Sequence, residues 1–376
     1  MSVISNSIPL FKVHMPEEMT EAVGKTLQSG FITEGPKAAE FQKQFQDWLG
    51  NPNTAMVNSC TSALTLALRL AGVGPGDEVI SSPMTCVATN EPVITAGAKI
   101  VWADVDPETG NIDPEDVRRK IKQGKTKAIL FVDWSGVPAD LDKLQAIADD
   151  NQIKTIEDAA HSLGAVYRGR KVGNQCDFTC FSFQAIKHIT TGEGGAIACK
   201  SKEDFDRAVL LRWFGLPRGW RRSPVHWEGD IAEAGYKMHM NDIAGTMGIV
   251  QMKYIDEIVE KHKANAKKIR EGLKDVEGIE FLKIDPQVDP AYWILTVLLE
   301  DSEAREKFAA KISEADISCG IAHTRNDSYT VFAESQTELP GLDQFADRML
   351  NIPCGWWLTD EEIQYIVETV KQSIGG

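Results

Sequence analysis

Lys127-Ala-Ile-Leu-Phe-Val132, Asp140-Leu-Asp-Lys-Leu-Gln-Ala-Ile-Ala-Asp149 and Lys154-Thr-Ile156 follow one another closely. The outer two are short, largely apolar runs, as strands buried on both faces are. The middle one is apolar at helical spacing. A strand, helix and strand in this order make a parallel pair with the helix laid on one face. The rhythm extends towards the N-terminus. Thr54–Val57 is a short apolar run and Ser62–Ala71 a helix. Gly72-Val-Gly-Pro-Gly76 breaks the chain before a strand at Glu78–Ser81, and an intervening helix leads to a strand at Lys99–Ala103. The predicted fold class is α/β, a mostly parallel sheet flanked by helices.

Beyond about residue 200 the pattern changes. Glu203–Phe214 reads as a helix, Gly215–Asp230 as a loop rich in Arg, Trp, Pro and Gly, and Asn241–Leu273 as one long helical stretch. A strand at Tyr292–Leu299, a helix at Ser302–Ala315 and a terminal helix follow. The last opens with Thr359-Asp-Glu-Glu, a cap followed by first-turn acids. The expected division is a large α/β domain over residues 1–250 and a smaller α+β domain over 251–376. No internal repeat or low-complexity tract interrupts them.

Composition narrows the function. The 376 residues carry a net charge of −15, which argues against a nucleic-acid partner, since that needs a basic face. No window reaches the ~18–20 apolar residues that span a bilayer, so no membrane association is expected. Met1-Ser-Val-Ile-Ser-Asn6 has no basic region followed by an apolar core, so no signal peptide is expected. The seven cysteines are scattered and odd in number, and Cys176 with Cys180 lacks a second pair for zinc. Reduced thiols, a cytoplasmic location and no metal are the expectations.

Three stretches carry candidate chemistry. In Thr155-Ile-Glu-Asp158-Ala-Ala-His161, Asp158 falls at a strand's carboxyl end, where open α/β sheets bind ligands and a carboxylate can pair with a protonated ring nitrogen. Taken alone, an acid there more often caps a helix or sits in a loop. In Phe181-Ser182-Phe183-Gln-Ala-Ile-Lys187-His-Ile-Thr-Thr-Gly192-Glu-Gly-Gly195, a strand delivers a lysine into a glycine-punctuated turn among apolar residues. Most lysines are solvated, but burial lowers the pKa of such an amine and makes it a nucleophile. Asn58-Ser-Cys-Thr61-Ser62-Ala63 lies between a strand and a helix, a place for an anion or simply for a cap.

Together, Asn58-Ser-x-Thr-Ser-Ala-Leu64, Glu157-Asp-Ala-Ala-His161 and Phe181-Ser-Phe-x-x-x-Lys187-x-x-x-x-Gly192-Glu-Gly-Gly195 resemble the DegT/DnrJ/EryC1/StrS family. These are pyridoxal-phosphate (PLP) aminotransferases of fold type I, most of which act on nucleotide-linked keto-sugars. The likeness runs from Ser29-Gly30-x-x-x-x-Gly35-Pro36 through Gly76-Asp-Glu-Val79, Asp104-Val-Asp106 and Gly235-Tyr-Lys-Met-His-Met-Asn241-Asp to Ile352-Pro353. The resemblance implies that Lys187 carries PLP as a Schiff base and shuttles the proton in transamination. It implies that Asp158 bonds the pyridine nitrogen, that His161 meets the phenolic oxygen, and that Thr61, Ser62 and Ser182 hold the phosphate. It further implies a homodimer whose active sites are shared through the Gly235-Tyr-x-x-x-Met240 segment. Many relatives have an Asn in that segment as a phosphate ligand, where this chain has Lys237 or His239, with Asn241 slightly later. Cys86 stands where many carry an aromatic against the ring.

By the same resemblance the amino donor is glutamate and the acceptor a keto-sugar. Arg218 and Arg221, in the loop beginning at Arg212, suit either a diphosphate or a dimer contact. His323 and Arg325 suit either a substrate anion or an ion pair within their loop. Trp356-Trp357 reads as core or interface. A small phosphorylated ketone is the alternative acceptor. A sugar dehydratase, typically with His in place of the lysine, and a non-catalytic PLP-fold regulator are further alternatives, the first opposed by Lys187.

Overall fold

The computed structural model describes residues 7–217 and 230–374. Seven strands make the large sheet: β1 (Thr54–Val57), β2 (Glu78–Ser81), β3 (Lys99–Trp102), β4 (Thr126–Val132), β5 (Lys154–Asp158), β6 (Phe178–Ser182) and β7 (Gly195–Cys199). Their order is β1-β7-β6-β5-β4-β2-β3. Strands β2 to β6 pair in parallel, as the sequence predicts. Strand β7, which the sequence reading missed, runs antiparallel to both β6 and β1. The turn joining β6 to β7 contains no helix to carry the chain back across a face, so the strand returns beside its predecessor.

Helices α1 (Glu18–Ser29), α2 (Pro36–Leu49), α3 (Cys60–Leu70), α4 (Val87–Thr95) and α5 (Leu141–Asn151) cover the sheet with its neighbouring segments. The pleat divides β4 between two cores. Ala128 and Leu130 join Leu64, Leu68 and Val79 on one face, and Ile129 and Phe131 join Phe41, Phe45 and Leu144 on the other. Each large side chain so buried stabilises the fold by about 1.5–3 kcal/mol. Since β1 and β6 both oppose β7, the carboxyl ends of β1, β5 and β6 open on one edge of the sheet.

The expected helix over Asn241–Leu273 is two helices, α6 (Asp242–Met252) and α7 (Ile255–Leu273). The first is apolar nearly all round and packs against α1 and α2. The second is amphipathic and packs against α8 (Asp360–Ile374). The break at Lys253-Tyr254 separates these two settings, and the Tyr254 hydroxyl donates to Glu18 Oε1 at 2.6 Å. Helices α7 and α8 flank an antiparallel sheet of β8 (Glu280–Phe281), β9 (Leu295–Leu298) and β10 (Met349–Ile352).

Two segments link the smaller sheet with the large one. Ile8 pairs with Ile317 and is buried in the smaller core, and Phe332, Leu342 and Phe345 return to the core of the large sheet. The helix expected over Glu203–Phe214 ends at Leu211, because Trp213 bridges to Lys237. The strand expected from Tyr292 starts at Leu295, because Tyr292 takes a left-handed conformation with φ 49°. Among the described residues no helix is long and apolar enough to cross a membrane.

Candidate active site

The turn after β6 carries Lys187. It is closed at its base by hydrogen bonds from Phe183 N to Gly194 O and from Thr191 N to Phe183 O, both 2.9 Å. Gly195 then passes so close to the start of α3 that a Cβ would lie 2.6 Å from Cys60 N. Only glycine lets β7 begin there, against the helix N-terminus. The lysine is thereby thrown forward over the sheet edge, with Nζ 3.5 Å from the centroid of the Trp293 ring. Burial pulls its pKa down to about 8, while the charge of Asp158 and the Cys86 and Cys60 thiols pull the other way.

Asp158 ends β5 and is buried. It accepts hydrogen bonds from Thr89 Oγ1 at 2.7 Å and Ala160 N at 3.0 Å, and Cys60 Sγ lies 3.8 Å away. Burial raises its pKa, against the lowering effects of Thr89, Ala160 and Lys187. Thr89 in turn shares a hydrogen bond with Thr85 at 2.7 Å. The sequence reading passed over Thr89, since nothing local distinguishes a threonine in the first turns of a helix. Cys86 sits half-buried at the cap of that helix, α4.

His161 follows β5 and lies face to face with Trp293, the ring centroids 4.1 Å apart. Its Nε2 is 3.3 Å from Nε2 of His323, on a loop 162 positions further along the chain. Its Nδ1 is buried with no partner among the described residues. Burial holds the imidazole well below its ordinary pKa, helped by the charge of Lys187. Trp293 was also missed; its indole donates to Ile186 O at 2.8 Å, locking it beside the lysine turn.

The start of α3 supplies hydroxyls. Ser59 caps the helix by accepting from Ser62 N at 3.1 Å, Ser62 Oγ donates to Asn58 Oδ1 at 2.7 Å, and Thr61 is exposed. Ser182 closes β6 and accepts from Gln184 N at 3.3 Å. Thr61, Ser62 and Ser182 thus stand at the carboxyl ends of β1 and β6, on either side of Gly195.

The Gly235–Asn241 segment folds along its own chain. Asn58 N donates to Met238 O at 2.8 Å, and Val57 bridges to His239. Lys237 is exposed and Trp213 stands edge-on to His239. Asn241 Oδ1 caps α6 by accepting from Ala244 N at 2.9 Å, so that oxygen already has a donor. Asp242 reaches the other way and accepts from Gly35 N, Lys37 N and Ala38 N at 2.7–3.1 Å, tying together the two outlying stretches of the resemblance.

For Arg325 the sequence left open a substrate anion or an ion pair within its loop; its guanidinium is paired with Asp327 at 2.6 and 2.8 Å and with Asp343. Arg218 and Arg221 lie outside the described residues. Trp356 and Trp357 stand edge to face, with His14 against Trp356 and His262 against Trp357. Among the described residues no cluster of His, Cys, Asp or Glu is arranged to hold a metal.

The architecture and the sequence both have relatives. The structure of AtS13 from Actinomadura melliaura aligns with a TM-score of 0.93 at 38% identity, covering 98% of this chain and 99% of that one. The sugar aminotransferase CalS13 from Micromonospora echinospora aligns with a TM-score of 0.92 at 36% identity, covering 97% and 99%. The UDP-4-amino-4-deoxy-L-arabinose–oxoglutarate aminotransferase of Shewanella sediminis is 31% identical, covering 98% of each chain. The sequence profile of one family fits residues 13–371, and with a lysine, an aspartate and a helix N-terminus gathered at one sheet edge, the chain belongs to the DegT/DnrJ/EryC1/StrS aminotransferase family.

Proposed function

We propose that the chain uses PLP to move an amino group from an amino acid, L-glutamate, to a nucleotide-linked 4-keto or 3-keto deoxysugar, for surface polysaccharide or glycan biosynthesis. The observation that carries this reading is Lys187, a half-buried lysine whose amine faces the Trp293 ring at 3.5 Å, with its pKa drawn down to about 8 and Asp158 within Coulombic reach. The surroundings fit the cofactor. The glycine cradle at Gly195 leaves the α3 N-terminus open to a phosphate, and the buried Nδ1 of His161 lacks a partner that a phenolic oxygen would provide.

When bound, PLP supplies an electron sink for breaking a Cα–H bond. The protein supplies the rest. Asp158, held by Thr89 and Ala160, would keep the ring nitrogen protonated through a charge-assisted hydrogen bond worth roughly 1.5–3 kcal/mol. Thr61, Ser62 and Ser182 would hold the phosphate. Lys187 would anchor the cofactor and, as a neutral amine available near pH 8, would take up and return the proton. Cys86 would stand beside the ring, and His323 would line the side open to the acceptor.

A second copy completes the site. Leu27, Phe31 and Ile32 are all about half exposed at and beyond the end of α1. They adjoin a groove of about 630 Å³ between α1 and α6, lined by Ala22, Phe31, Ile249 and Val250. An exposed apolar patch of this kind marks a protein contact. Asp242, next in the chain to Asn241, lines that groove, and in this reading the segment with Lys237, His239 and Asn241 meets the partner's phosphate. All seven cysteines are free, which suits a cytoplasmic enzyme.

The test supplies PLP and L-glutamate and offers nucleotide-linked keto-deoxysugars in one arm and small phosphorylated ketones in the other, with products weighed by mass spectrometry. Amination in the first arm is expected. Amination confined to the second would replace the sugar reading with the small-ketone one, and turnover in neither, with PLP bound, would sink both acceptors.

A further inference from the structure

His161 and His323 lie 162 positions apart in the chain, on the large sheet's edge and on a loop of the smaller unit, yet they meet through one pair of ring nitrogens. Their planes are 7° apart and both rings run nearly parallel to Trp293, at 15° and 18°. The meeting is held from behind. The backbone N–H of Asn326 donates to Pro83 O at 2.8 Å, its side-chain amide donates to Thr85 O at 2.8 Å, and its Oδ1 accepts from Asn90 at 2.9 Å. Arg325 braces the same loop through Asp327 and Asp343. A loop anchored this way delivers His323 to a fixed place.

A hydrogen bond between two Nε2 atoms requires one to carry a proton and the other to be bare. Both rings are neutral at working pH. Burial, aided by the charge of Lys187, drives His323 down to about 3 and holds His161 well below its ordinary range. Two arrangements remain. If His161 donates, its buried Nδ1 is bare and offers nothing to an acceptor. If His323 donates, the one proton of His161 sits on Nδ1, and the bare Nδ1 belongs to His323, the more exposed of the two rings. Nε2 of His161 being engaged, Nδ1 is the nitrogen left for a ligand.

We infer that His323 is a positioning residue: by donating its Nε2–H to Nε2 of His161 it fixes the tautomer in which His161 presents Nδ1–H to an acceptor oxygen in the site. This rests on the proposed function, in which that acceptor is the phenolic oxygen of PLP. The role differs from holding a substrate anion, since a neutral ring whose Nε2–H is already given to His161 has no charge to offer one.

The test uses the full-length protein with ¹⁵N-labelled histidine and PLP, comparing wild type with His323→Phe and His323→Gln. Phe keeps a flat ring beside Trp293 but removes both nitrogens; Gln keeps an N–H donor. Nitrogen NMR reads which nitrogen of His161 is protonated, and absorbance reads the titration of the bound cofactor. In wild type and His323→Gln the proton is on Nδ1. In His323→Phe it moves to Nε2, the cofactor's titration midpoint shifts, and kcat falls about tenfold, the worth of one hydrogen bond, while KM holds. PLP bound in all three proteins with an unchanged His161 tautomer would overturn this inference alone. A protein that takes up no PLP overturns the proposed function with it.

Discussion

Two cationic side chains, Lys187 and Arg325, were candidates for the same site, and their surroundings are opposites. Arg325 is clasped by Asp327 and Asp343 on a partly exposed loop, and its pKa is raised, first of all by the hydrogen bond to Asp327. Lys187 has an indole face at 3.5 Å, and burial lowers its pKa to about 8. A guanidinium matched by carboxylates is stabilised as the cation and does not change its protonation during a reaction. An amine kept from water without a matching ion pair sits near its titration point, ready to lose or gain a proton. The pairing of a charge, more than its presence near a cleft, separates a brace from a reactive group.

The largest effect should come from removing the unpaired amine. Lys187→Ala should cut turnover by at least about a thousandfold, the scale of losing a positioned acid–base group along with the cofactor's anchor. The absorbance band of the lysine-linked cofactor should vanish with it. A variant that retains more than a tenth of wild-type kcat, measured by single-turnover kinetics, would erase the distinction drawn between the two cations.

How much of that distinction was visible beforehand follows the length scale of each interaction. Lys187, Asp158 and Ser62 were legible because their settings are local: a strand before the lysine and glycines after it, a strand end, a helix start. The parallel sheet was legible because strands buried on both faces read as continuous apolar runs. Trp293 and Thr89 were not, since the first meets the lysine across more than a hundred residues of chain and the second faces Asp158 only once α4 is docked. Strand β7 was hidden because Gly195-Ala-Ile-Ala-Cys199 looks like the tail of a glycine turn. The pairing of Arg325 with Asp327 is two residues long and was weighed, but its second carboxylate, Asp343, arrives only through the fold.

A moderate effect should appear in stability. Folding lowers the pKa of Lys187 from the usual 10.5 to about 8, so between those values the unfolded chain binds the extra proton and stability rises with pH. Below about pH 8 the penalty for burying the charge is fully present. Cofactor-free Lys187→Met should therefore be more stable than wild type towards urea at pH 7, with the gap closing as pH climbs towards 10. A gap that is constant with pH would mean that the amine is solvated in the folded protein, and the contrast with Arg325 would lose its physical basis.

The smallest effect belongs to Arg325. Its ion pairs are partly exposed, and such pairs are worth about 0.2–1 kcal/mol. Arg325→Ala should lower the urea unfolding free energy by about 1 kcal/mol or less and leave KM for the keto acceptor within about threefold of wild type. Asn326 still ties the loop to Pro83 and Thr85, so His323 keeps its place. A rise in KM on the order of a hundredfold, with stability unchanged, would return Arg325 to the substrate and show that Asp327 and Asp343 surrender it when an anion enters.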